Sequence, residues 1–100
     1  MNVDFSSDAE QDLVDGYWFY EFQEKGAGHH FRSSLLADAE QLRTTGGRHP
    51  PFAMVHRALS LAFPFALYYR MDSFDSLTII AILAQRQKPS KIKKSLGNRA

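Results

Sequence analysis

Cysteine is absent from this chain of 100 residues, so no disulfide staples the fold and no thiolate serves as nucleophile or metal ligand. Also absent is any uninterrupted apolar run near the ~20 residues that cross a bilayer. The opening segment, MNVDFSSDAEQDLVD, holds acids where a secretory signal holds bases and contains no apolar core. The expectation is a soluble, cytoplasmic chain. Acidic residues run out early, with only Asp72 and Asp75 beyond Leu42 and none after Asp75. What remains is unexceptional in bulk. At 44% hydrophobic and 23% charged, the composition is that of one globular domain with room for one core.

The net charge of +1 conceals a division. Through Leu42, nine acids oppose Lys25 and Arg32, a net of −7; from Arg43 onward ten bases oppose two acids, a net of +8. Either the halves neutralise one another in the fold, or the second half meets an anionic partner.

Local patterning predicts a strand near Val3 and Phe5, then a helix over 8–25 opened by Ser6 or Ser7, with Ser7 and Glu10 at capping-box spacing. Ala9, Leu13, Tyr17 and Tyr20 give that helix one apolar face; Val14, Trp18 and Phe22 make a second stripe beside it. A second helix over 29–43 buries Phe31, Leu35, Ala39 and Leu42, and Gly26 and Gly28 turn the pair into a hairpin. Gly46, Gly47, Pro50 and Pro51 form a loop. Three strands follow, over 52–61, 65–71 and 77–85. The last, LTIIAIL, is apolar enough to be covered on both faces. Pro89 starts a possible short helix over 90–96 within a lysine-rich tail. The expected fold is α+β: an N-terminal strand and a two-helix hairpin packed on one face of a small, mostly antiparallel four-stranded sheet. The other face is left for solvent or a partner. Its divisions are 1–6 strand, 7–45 hairpin, 52–86 strands and 87–100 basic tail, in a single domain over 1–100.

This order resembles the ParE/RelE superfamily of toxins from bacterial type II toxin–antitoxin systems, and within it the ParE-like, plasmid stabilisation branch. Ala9, the Asp12–Leu13 pair and Tyr17 are similar to the family's first helix. Phe31 and Leu35 are similar to its second. Arg57 followed by FPFALYYR, residues 63–70, is close to an arginine strand followed by FPY-x-(I/L)-YY. ILAQRQKP, residues 82–89, resembles the closing I-x-H-x-(R/S)-R-x-P segment. Ala84 departs from the pattern, standing where the family often has histidine, and no tryptophan or arginine pair follows Pro89.

The resemblance implies a toxin held inactive by a cognate antitoxin in a hetero-oligomer, with a role in plasmid stabilisation or stress response. ParE-like members act on DNA gyrase without a known hydrolytic site, whereas RelE-like members cut messenger RNA on the ribosome. A metal-independent ribonuclease needs a base, an acid and cations. Arg57, Arg70, Arg86 and Lys88 supply cations, and Tyr68 or Tyr69 a weak acid. The base is missing, since His56 alternates away from Arg57 and Ala84 replaces the late histidine. Binding therefore leads as the expected mode of action, with Arg57, Arg70, Arg86, Lys88, Lys91, Lys93 and Lys94 as target contacts. Cofactors and metals are not expected. His29 and His30 diverge on a helix and have no carboxylate at i+4, so they form a surface pair. A member without toxicity, kept as an antitoxin-binding or nucleic-acid-binding module, is a third possibility. Arg57 has an equally plain alternative, an ion pair with Asp12 or Asp15.

Overall fold

The computed structural model describes residues 1–99. In chain order the elements are β1 (Asn2–Phe5), α1 (Ser7–Glu21), α2 (Ala27–Thr45), β2 (Pro51–Phe52), β3 (Val55–Leu59), β4 (Phe65–Ser73), β5 (Ser76–Ala84) and α3 (Pro89–Arg99). The strands form one sheet in the order β1-β5-β4-β3-β2. Only the β1–β5 pair is parallel. The α+β arrangement expected from the sequence is therefore the one observed, with one strand more than the four anticipated.

That extra strand comes from a break in the segment over 52–61. Pro51 pairs with His56 and Phe52 with Val55, leaving Ala53 and Met54 as a two-residue hairpin turn. Both have positive φ, 49° and 71°, as a turn matched to strand twist requires. Neither residue type advertises such a turn, so the apolar alternation reads straight through it.

Ser6 caps α1 by accepting a hydrogen bond from Ala9 N–H at 3.1 Å. Ser7 lies inside the helix, so the capping box expected from Ser7 and Glu10 does not form. The helix ends at Glu21, earlier than 25, because the Glu21 carboxylate turns to the hairpin and accepts from the N–H groups of Gly26 and Gly28. These are orphan donors at the start of α2, which the carboxylate satisfies in place of a conventional cap. Phe31, Leu35, Ala39 and Leu42 of α2 and Ala9 and Leu13 of α1 bury against Leu67, Tyr69, Leu77, Ile79 and Ile82.

The opposite face of the sheet is not left open. Helix α3 packs Ile92 and Leu96 onto Val55, Ala66, Tyr68, Ile80, Ala81 and Leu83. The "basic tail" over 87–100 is thus, through Arg99, an anchored helix. Pro89 suits its first turn, and the Lys88 carbonyl accepts from Lys91 and Ile92 N–H. A bulge helps seat it: Tyr68 pairs with Ala81 but Tyr69 with Ile79, so Ile80 and Ala81 both turn toward α3. Leu77–Leu83 is covered on both faces, as its composition predicts.

Candidate functional site: a cationic face and an apolar ridge

Strand alternation sends Val55 and Arg57 of β3 and Tyr68 of β4 to the α3 side of the sheet. Arg57 and Tyr68 are direct cross-strand partners. Phe52 of β2 joins them, with the Arg57 guanidinium carbon and Lys93 Nζ of α3 each 5.7 Å from its ring centroid. Tyr68 lies edgewise near the same ring, at 5.7 Å between centroids. Among the described residues, two buried side-chain polar atoms lack a hydrogen-bond partner, Arg57 Nε and Tyr68 Oη. Both belong to this cluster. An unmet buried donor on a cation is a cost to the fold that a hydrogen-bond acceptor would relieve. Lys91, Lys93 and Lys94 stay exposed on α3 because Ile92 and Leu96 take its buried stripe.

The predicted contact residues are only partly brought together. Arg57 and Lys93 share Phe52. Arg70 lies on the same side of β4 but pairs with Asp72 at 3.0 Å, which leaves its cation partly neutralised. The Thr78 hydroxyl and then Arg70 hold the Asp72 carboxyl below its usual range. Arg86 is elsewhere, lining a cleft of about 410 Å³ with Asp12, Asp15, Phe19, Tyr20 and Phe65 between α1 and the end of β5. Lys88 is exposed at the start of α3. The arginines near the strands thus do not converge as a single cationic patch.

Tyr68 and Tyr69, the candidate weak acids, are both fully buried. Tyr69 faces the helix hairpin. Its hydroxyl accepts from Gly47 N–H at 2.8 Å and lies 2.7 Å from His49 Nδ1. Burial pushes the Tyr69 phenol up, away from any role as a ready acid. His56 stacks on the Tyr69 ring, with centroids 5.1 Å apart. The imidazoles are therefore on the sheet face opposite Arg57. Among the described residues no cluster of metal-ligating side chains forms, and His29 and His30 are exposed at the start of α2.

Arg57 pairs with neither acid proposed for it. Asp12 is taken by Arg99, the last described residue of α3, through two bonds of 2.5 and 2.9 Å. The same carboxylate accepts from Ile82 N–H at 2.9 Å, and Arg99 also donates to the Ile80 carbonyl at 3.1 Å. Beyond β1 the outer edge of β5 has no neighbouring strand, and this pair closes it. Hydrogen bonding to Asp12 raises the Arg99 guanidinium still further above its ordinary range. Arg99 was missed in the sequence, although Ile92, Leu96 and Arg99 fall at i, i+4 and i+7 and so share one helical face. His49 sits in a loop that carries no periodic signal at all.

A second surface lies on α1. Val14, Trp18 and Phe22 run along it at spacings of four, 48%, 49% and 82% exposed, and the Trp18 and Phe22 rings tilt together at 5.5 Å. Beside them is a groove of about 330 Å³ lined by Leu13, Val14, Tyr17, Trp18 and Arg32. Large apolar side chains are thus left exposed side by side on one stretch of the helix.

No family model and no curated protein matches the sequence, and the likeness found is to solved structures. The fold is similar to that of a chain in the solved structure titled "Chromosomal ParDE TA system from P. aeruginosa", with a TM-score of 0.74. The match covers 84% of this chain and 95% of that chain, at 15% sequence identity. At that identity the shared property is the fold. No helix among the described residues is long and apolar enough to cross a membrane.

Proposed function

We propose that this chain is the toxin of a type II toxin–antitoxin pair, and that it acts by gripping an essential target, DNA gyrase, rather than by cutting RNA. The fold shared with a ParDE chain supports the toxin reading. The observation that carries the binding mode is the separation of chemistry across the sheet. Arg57 and Lys93 are on one face, while the imidazoles able to act as bases are on the other. A 2′-hydroxyl and its phosphate cannot reach both at once. Target contact falls to Arg57, Lys91, Lys93 and Lys94, with Arg70 and Lys88 at the margin. The apolar ridge Val14–Trp18–Phe22 takes the antitoxin, flanked by the acids of α1 that favour a basic partner segment. Arg86 lines a separate cleft on another side of α1 and belongs to neither surface.

Induction without the partner tests this reading. Growth arrest accompanied by cleaved gyrase–DNA complexes is expected. Arg57→Glu with Lys93→Glu should weaken the arrest by at least about tenfold, the scale of losing one charged contact. Message cuts positioned by codon on ribosomes would replace gyrase with a nuclease mechanism, and unimpaired growth would refute toxicity.

A further inference from the structure

The loop 46–50 is fastened to the sheet by three hydrogen bonds, one of which requires a single protonation state of His49. Gly47 N–H donates to Tyr69 Oη at 2.8 Å, so the phenol's own hydrogen must go elsewhere. The neighbouring atom is His49 Nδ1 at 2.7 Å, which accepts it only while unprotonated. His56 Nδ1 lies 2.8 Å from the His49 carbonyl, and since a carbonyl only accepts, that nitrogen bears a hydrogen. The loop is held at residues 47 and 49, and the His56 ring lies flat on Tyr69.

Adding a proton to His49 breaks this logic. Its Nδ1 becomes a donor, Tyr69 Oη then faces two donors, and the phenolic hydrogen is left inside a fully buried position without an acceptor. Among the described residues, the charged neighbour that acts on His49 is His56, and it opposes the new charge. Around the cluster, Glu40 and Arg43 of α2 pair with each other, Arg48 is exposed in the loop, and Met1 supplies the cationic amino terminus. Arg57 and Arg70 belong to the other sheet face, and His56 meets His49 at its backbone carbonyl. We propose that His49, Tyr69 and His56 form an acid-released pin that holds the loop 46–50, and the β2–β3 turn it leads into, against the sheet at neutral pH. Burial and the neighbouring His56 lower the His49 pKa from its ordinary 6.5, which agrees with the geometry. The sign follows. Because the folded form resists the proton, its stabilising contribution is complete above about 6.5 and is lost as pH falls below it, toward the lowered folded value. The inference is independent of what the cationic face binds, although Phe52, on which Arg57 and Lys93 rest, follows this loop directly.

Amide hydrogen exchange of the full chain, read at Gly47 by NMR alongside both imidazole titrations, tests the pin. The Gly47 protection factor, corrected for intrinsic rate, should fall by up to about tenfold per pH unit below 6.5. Its midpoint should track the His49 ring. His49→Asn, whose side-chain oxygen can accept from Tyr69 without titrating, should keep Gly47 protected at both pH 7.5 and pH 5. Tyr69→Phe should leave Gly47 unprotected throughout. Protection that does not change with pH, that follows His56 instead, or that persists in Tyr69→Phe would overturn the proposal. Should a variant fail to fold, the wild-type midpoint alone still decides.

Discussion

At the scale of single residues, Asp12 holds more of the molecule than its place on an acidic helix indicates. Its two oxygens satisfy Ile82 N–H on β5 and both terminal nitrogens of Arg99 on α3, so one side chain joins elements on opposite faces of the sheet. In Asp12→Ala a strand donor and a largely buried guanidinium lose their partners together, and the expected loss is about 2–4 kcal/mol. Arg99→Ala removes one partner and leaves the strand bond intact, so it should cost less. Urea unfolding at constant m-value checks the order. An equal loss in both would mean that the ion pair alone matters and the edge of β5 does not.

At the scale of elements, what was legible in the sequence follows from periodicity. The hairpin was readable because Ala9, Leu13, Phe31, Leu35, Ala39 and Leu42 repeat at helical spacing and all are buried. Strands β4 and β5 were readable because their apolar runs are long and bounded by turn residues. The β2–β3 turn was not, because Ala53 and Met54 adopt left-handed backbone without glycine, asparagine or aspartate to signal it. Helix α3 was visible as a helix, but its function was masked: lysines dominate its composition while only Ile92 and Leu96 decide where it sits. Those two residues carry the next prediction. Ile92→Ala or Leu96→Ala should destabilise by about 2–4 kcal/mol and raise exchange across α3 before the hairpin. Lysine-to-glutamine changes at 91, 93 and 94 should stay within about 0.5 kcal/mol. If α3 exchanges freely in the wild type, it is no structural layer and the sheet's second face is bare.

Across the whole molecule, the sequence's charge division becomes a spatial one. The helices of the acidic half cover one face of the sheet; α3 with its lysines packs on the other, the face to which Arg57 points. The apolar ridge of α1 and the Phe52–Arg57–Lys93 cluster are thus separated by the sheet itself. On the toxin reading, a partner segment seated on the ridge leaves the cationic face uncovered, so antitoxin binding and target binding draw on separate surfaces. Two variants separate the surfaces. Trp18→Ser with Phe22→Ser should reduce antitoxin affinity by about 30- to 1,000-fold, as loss of a central aromatic anchor does. Because Trp18 is half exposed and Phe22 is 82% exposed, stability should change little and growth arrest should persist even with the antitoxin co-expressed. Lys91→Glu, Lys93→Glu and Lys94→Glu together should do the reverse, retaining the antitoxin while abolishing arrest. Affinity by titration calorimetry and arrest in the same strains provide both readings. If the ridge variant is still neutralised, or the lysine variant still toxic, the two functions do not divide across the sheet.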